Sequence, residues 1–191
     1  GAAYSPVGLD ASDDEINDYK QAAADAGIII AEVGAWSSPV SRDEKVRTEA
    51  LDTCKKALAL AEKIEARCAV NITGSVGEIW HGPCADDLTS ETFDMIVSSV
   101  QEIIDSVGPE KTFYTLETMP RMYPDSTQSY MDLIRAIDRP AMAVHFDPVN
   151  LICSPERYFY NGDIISQFIA ELGPQIKSCH AKDIFLHEKL T

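Results

Sequence analysis

Thr112-Phe113-Tyr114-Thr115-Leu116-Glu117, Ala141-Met142-Ala143-Val144-His145-Phe146-Asp147 and Ile176-Lys177-Ser178-Cys179-His180 are three short strand-like runs. Each ends in a side chain that can hold a metal ion. Thirty positions separate Glu117 from Asp147, and 33 separate Asp147 from His180. A strand, a loop, a helix and a return loop use about 30 residues or more. The spacing predicts consecutive parallel strands with Glu, Asp and His at one end, one per βα unit. Barrel enzymes keep their chemistry at that C-terminal end, so a divalent-metal site is the expectation.

The pattern continues outward from these runs. Ser12 to about Ala26 reads as a helix with a Ser12/Glu15 capping box and Gly27 at its end. Ile28 to Val33 reads as a strand, Asp43 to Ala66 as a long amphipathic helix, and Cys68 to Ile72 as a strand. Helices over Thr89–Val107, Ser126–Ile137 and about Gly162–Leu172 each precede one of the three opening strands. Five strands and five helices alternate, which predicts parallel strands with right-handed crossovers. No linker or low-complexity tract interrupts residues 1–191, so a single domain is expected.

An open doubly wound sheet places a glycine-rich turn at a nucleotide site. Neither GxGxxG nor GxxxxGK[ST] is present. Functional groups at the ends of several successive strands favour a closed barrel instead. A (β/α)8 barrel takes about 250 residues, and the chain has 191. The expected fold is therefore an α/β (β/α)8 TIM barrel, incomplete here. Strands two to six are visible, with about one strand missing before residue 1 and two after residue 191.

Composition narrows the function. A net charge of −15 argues against nucleic acid and against anionic membrane surfaces. Five cysteines without a CxxC pair do not form a disulfide framework or a zinc ribbon. No signal-like segment and no apolar run of about 18 residues occurs, and the expected location is cytoplasmic.

Side chains alternate along a strand, so Glu117, Asp147 and His180 are the topmost inward positions of their runs, at matching height. Two carboxylates and an imidazole suit Mn²⁺, Mg²⁺, Co²⁺ or Zn²⁺, with Mn²⁺ as the leading expectation. Asn150, Lys182 and Asp183 fall on the loop rim, where a substrate's polar groups would be met. Trp36, Trp80 and His81 also fall on strand-exit loops, and their rings suit sugar binding. His145 lies inward, two residues below Asp147, and reads as a buried partner to a ligand.

Leu116-Glu117-Thr118-Met119-Pro120, His145-Phe146-Asp147-Pro148-Val149-Asn150-Leu151 and Cys179-His180-Ala181-Lys182-Asp183 together resemble the xylose isomerase-like TIM-barrel superfamily of sugar phosphate isomerases and epimerases. The resemblance implies one divalent ion held by Glu117, Asp147 and His180, with a fourth ligand, a Glu on strand eight, beyond Thr191. It implies a metal-dependent isomerase or epimerase of a sugar or sugar derivative, working by α-proton abstraction through a metal-stabilised enediolate, with Glu117 as an acid/base. Ketose 3-epimerases of the family carry a histidine where Asn150 stands, and a substrate-binding Glu where Tyr123 stands. Endonuclease IV, another member, uses three metals and many more histidines than the four in this chain. A keto-sugar lyase or hydratase on the same site, or a non-catalytic sugar-binding barrel, are the alternative functions. The expected partner is a small-molecule sugar, with no nucleic acid, no membrane, and a homo-oligomer left open.

Overall fold

The computed structural model describes residues 7–187. Among them, five strands form one sheet in the order β1 (Glu32–Gly34), β2 (Cys68–Asn71), β3 (Phe113–Glu117), β4 (Met142–Phe146) and β5 (Ile176–Cys179). Every pairing is parallel. Helices α1 (Asp13–Asp25), α2 (Glu44–Ile64), α3 (Ser90–Val107), α4 (Thr127–Ile137) and α7 (Asn161–Leu172) alternate with the strands. Two short helices not expected from periodicity, α5 (Pro148–Leu151) and α6 (Pro155–Phe159), follow β4. Both are too brief for a 3.6-residue repeat to show, yet each begins with proline at its first position, a favoured place for it. The sheet is an open section of a TIM barrel.

Local chemistry sets the helix ends. Ser12 and Glu15 form the expected capping box on α1, with Glu15 Oε2 accepting from the Ser12 N–H at 2.8 Å. Asp43 caps α2 by accepting from Lys45 N and Val46 N. Gly27 follows α1 at φ 63°, the left-handed region that glycine enters without steric cost.

The first strand is shorter than its run of isoleucines predicts. Ile28 and Ile29 are 54% and 61% exposed, and β1 begins only at Glu32. The partner decides this. Glu32 pairs with Cys68, the first residue of β2, so residues before Glu32 have no β2 ladder to join.

The two faces of the sheet differ in character. Val33, Ala69, Tyr114, Leu116, Val144 and Phe146 point outward and belong to one apolar core with the helices. Within it, Phe146 stacks on Phe168 of α7 at 4.1 Å between ring centroids, and Ala57, Leu58 and Ala61 of α2 are fully buried. The inward face is polar. Cys68 Sγ lies 3.1 Å from Ser178 Oγ across the interior, and Thr115 Oγ1 donates to the Ala69 carbonyl at 3.0 Å.

Tyr130 of α4 joins the two faces. Its fully buried hydroxyl accepts from Leu116 N–H and His145 N–H, each at 3.2 Å. The Leu116 and Ala143 carbonyls lie 2.6 and 3.1 Å from the same oxygen. One side chain thus satisfies backbone groups of both β3 and β4, directly beneath Glu117. Tyr130→Phe is expected to cost about 2 kcal/mol, because two buried N–H groups lose their acceptor. Urea denaturation measures this, and a loss under about 0.5 kcal/mol would mean that β3 and β4 satisfy each other without the hydroxyl.

Candidate metal centre

Glu117 is the last residue of β3, Asp147 directly follows β4, and His180 directly follows β5. One donor atom from each lies within 4.8 Å of the others. His180 Nδ1 is 3.4 Å from Glu117 Oε1 and 3.4 Å from Asp147 Oδ2. The structure therefore brings together the three residues expected from the strand ends.

The heights are not matched as expected. Glu117 pairs with His145, not with Asp147. The ladder staggers as it passes from strand to strand, which is the shear a barrel needs. Glu117 starts lower, and its side chain, one methylene longer than that of aspartate, still reaches the same point.

Three neighbours complete the cluster. Asn150, in the single turn of α5, donates through Nδ2 to Glu117 Oε1 at 2.9 Å and to Asp147 Oδ2 at 3.2 Å. The Lys182 ammonium forms a close ion pair with Asp147 and lies 3.6 Å from Glu117 Oε1. Below them, Glu32 of β1 places Oε1 3.0 Å from His180 Nε2 and Oε2 3.2 Å from His145 Nδ1. His145 is fully buried, and Ser178 Oγ lies 2.7 Å from its Nδ1.

Sequence reasoning missed Glu32. It is the first residue of β1, at the opposite end of its strand from the three expected ligands. Along the ladder it is level with Cys68 and Phe113, four residues below Glu117. Shear and curvature carry it to the imidazoles of β4 and β5. A one-residue climb per strand, applied to the predicted strands, was the signal that could have found it.

The other rim residues divide. An added Cβ at Gly34 would come within 2.4 Å of Trp36 Nε1. Gly34 faces the same side as Glu32, so the indole lies on the inward face immediately above Glu32. Asn71 fixes the neighbouring loop, accepting from Ser37 N–H at 3.1 Å and donating to the Ser37 carbonyl. Trp80 and His81 stack edge to face on each other at 4.9 Å. Trp80 lines a cavity of about 560 Å³ with Ser38, Arg42, Asp43, Ser75 and Glu78, and no candidate ligand lines it. The structure does not bring that pair to the cluster. Asp183 is exposed, and its carboxylate accepts from the Ile184 N–H at 2.8 Å.

The electrostatics are those of crowded carboxylates. Burial, and then the hydrogen bond shared with Asp147, push Glu117 up from the ordinary carboxylate range to about 7. Burial would also raise Asp147, but the Glu117 hydrogen bond and Lys182 outweigh it and hold Asp147 low. Burial would raise Glu32 too, and the His145 and His180 contacts reverse that. For His180, burial opposes charge, yet Glu32 and Glu117 raise its pKa. Burial lowers His145.

The donors present fit a divalent ion. Two carboxylates and an imidazole converge, and Asp147 Oδ1 is buried without a hydrogen-bond partner. Oxygen-rich sets of this kind suit hard or borderline cations.

Five parallel strands with a Glu/Asp/His cluster at their C-terminal edge form part of a TIM barrel. The chain belongs to the xylose isomerase-like TIM-barrel family, whose sequence model matches residues 3–190. No curated protein matches it. Among solved structures it is similar to a D-psicose 3-epimerase determined in the presence of D-fructose, at 17% identity and TM-score 0.68, covering 90% of this chain and 58% of that one. It is also similar to a probable 3-DHS dehydratase of Bacillus anthracis, at 17% identity and TM-score 0.66, covering 90% and 56%. A third is the 3-keto-D-glucoside 4-epimerase of E. coli, at 13% identity and TM-score 0.65, covering 90% and 65%. The chain thus spans less than two thirds of each of these proteins. No helix among the described residues is long and apolar enough to cross a membrane.

The raised Glu117 pKa has a definite sign. Its contribution to stability is complete below the ordinary carboxylate pKa and is lost as pH rises through about 7. Glu117→Gln keeps a neutral acceptor for Asn150 and removes that loss. In chelator-treated protein the variant should gain on wild type between pH 5 and pH 8, by at most about 3 kcal/mol. Denaturant titrations at the two pH values test it, and a pH-independent difference would refute the shared proton.

Proposed function

We propose that this chain carries the core of a divalent-metal-dependent isomerase or epimerase acting on a sugar or sugar derivative. The convergence of Glu117, Asp147 and His180 at the C-terminal ends of successive parallel strands supports this reading above all. These three residues would hold the ion, Mn²⁺ being the first choice. A fourth ligand would come from outside the described residues. The ion would act as a Lewis acid on adjacent substrate oxygens and so acidify the C–H beside a carbonyl.

The chain's own residues do the rest. Glu117 is placed to take and return the α-proton, because its carboxyl lies at the ion site, where the acidified C–H of a bound substrate would be met. Asn150 holds the Glu117 carboxylate in place through its 2.9 Å hydrogen bond. Trp36 offers an apolar face for a sugar ring above Glu32. Lys182, on the rim and 46% exposed, can leave the carboxylates for a substrate hydroxyl. The rim is mixed and the net charge is −15, which favours a neutral sugar or polyol over a phosphorylated one.

Mn²⁺ should raise the thermal midpoint of the wild-type chain, and Asp147→Asn should abolish the shift. With a panel of free and phosphorylated ketoses, Mn²⁺ should bring deuterium from solvent onto the α-carbon of the free sugars. Glu117→Gln should stop that exchange. Turnover within about threefold of wild type, under 1 kcal/mol of barrier, would remove Glu117 from the chemistry. An unsaturated product in place of exchange would assign a dehydratase.

Lys182 yields a prediction of opposite sign. An ion must displace its ammonium from Asp147 and Glu117. Lys182→Met should therefore tighten Mn²⁺ binding about fivefold, the equivalent of about 1 kcal/mol for a partly exposed ion pair, while slowing turnover. Calorimetric titration measures the first effect, and weaker binding in the variant would show that Lys182 supports the ion.

A further inference from the structure

Glu32 is a carboxylate with no place in the expected ligand set, yet it is 3% exposed and buried between two imidazoles. Oε1 meets His180 Nε2 at 3.0 Å, and Oε2 meets His145 Nδ1 at 3.2 Å. The two rings pack edge to face, with centroids 4.3 Å apart and planes at 74°. The other nitrogen of His180, Nδ1, is 3.4 Å from both Glu117 Oε1 and Asp147 Oδ2.

Donor and acceptor counting decides what each nitrogen does. An ionised carboxylate only accepts. The bond to Glu32 therefore requires the His180 proton on Nε2. In the neutral ring this leaves Nδ1 as an in-plane lone pair facing Glu117 Oε1 and Asp147 Oδ2, whereas in the imidazolium Nδ1–H donates to them. Three acceptor atoms converge there, two of them also met by Asn150 and Lys182, and a divalent ion in place of the Lys182 ammonium would take all three. Resting on the metal reading above, we propose that Glu32 is a positioning residue: it fixes the tautomer and ring plane of His180, so that Nδ1 is the nitrogen offered to the ion.

The anchor is itself held from behind. His145 Nδ1 also meets Ser178 Oγ at 2.7 Å, and Ser178 Oγ meets Cys68 Sγ at 3.1 Å. A buried polar chain thus runs from β2 through β5 and β4 to Glu32 on β1, and on to His180 after β5. The ligand imidazole is oriented by a strand four places away in the sheet. Glu32, His145 and His180 also fall within 4.8 Å of one another, which a second ion could exploit. That would place an ion on both nitrogens of His180 and strip its ring proton. The positioning reading needs no such step. Carboxylates that accept the free N–H of a ligand histidine typically govern affinity by about 10- to 100-fold.

Long-range ¹⁵N correlation spectra of the unaltered chain, recorded at alkaline pH without metal, read the tautomer directly. The expected result is a protonated Nε2 and an unprotonated Nδ1 on His180, with Zn²⁺ as a diamagnetic probe shifting Nδ1. A protonated Nδ1, or an ion on Nε2, would overturn the proposal. Calorimetric titration of Mn²⁺ should give one ion per chain in the wild type. Binding should be about 10- to 100-fold weaker in Glu32→Leu and less reduced in Glu32→Gln, which keeps one acceptor for Nε2. Unchanged affinity in a folded Glu32→Leu chain, or two ions per wild-type chain, would also overturn it. A wild-type chain that takes up no ion would sink the metal reading, and the tautomer would still decide for or against Glu32.

Discussion

Three carboxylates lie inside this sheet within reach of one histidine, and most of the polar architecture answers their charge. Glu32, Glu117 and Asp147 are 2%, 5% and 0% exposed. Burying an ionised carboxylate is costly unless it is paired and hydrogen-bonded. The fold supplies Lys182 and Asn150 to Asp147 and Glu117, and the two imidazoles to Glu32. The compensation is incomplete, since Glu117 holds a proton to about pH 7 and Asp147 Oδ1 has no partner. A site that leaves anionic capacity unanswered in its interior is built for a function, not for stability.

Two faces of one sheet make this possible. The outward face carries the apolar load, from Val33 to Phe146, against the helices. The inward face can then be given to Cys68, Thr115, His145 and Ser178. Tyr130 is the point at which the faces meet. Its ring packs against Phe168 at 6.1 Å in the apolar layer, while its hydroxyl serves Leu116 and His145 in the ladder. The aromatic core thereby bears on the two strands that carry Glu117 and His145.

The fold was legible because alternation and spacing are local properties. Runs ending in Glu117, Asp147 and His180 at intervals of about 30 residues leave little besides parallel βα units. Capping by Ser12 is equally local. What escaped was cooperative. Ile28 and Ile29 look like strand from composition, but pairing begins where β2 begins, at Cys68. The matched heights failed because register accumulates across strands, and Glu32 was missed for the same reason. Its role depends on curvature summed over the whole sheet, a quantity no single segment encodes. Trp80 and His81 share a loop with the right chemistry, but Asp87, buried and bound to Ser75 Oγ and Val76 N–H, holds that loop in its own arrangement. Trp36 needed a fact about its neighbour: only glycine at position 34 leaves room for the indole.

The site divides its charges by rigidity. The anions stand on β1 and β3 and directly after β4, fixed by the ladder and by buried contacts. The histidine that faces them follows β5 and is held on two sides, by Glu32 through Nε2 and by a backbone bond from its N–H to the Phe146 carbonyl at 3.1 Å. The ammonium is different: Lys182 lies on a loop, on a long side chain that remains half in solvent. Side-chain rotation alone can withdraw it, without moving a strand. A fixed anionic floor with a detachable cation can exchange one positive charge for another at little conformational cost, which is the property that a centre alternating between resting and loaded states requires.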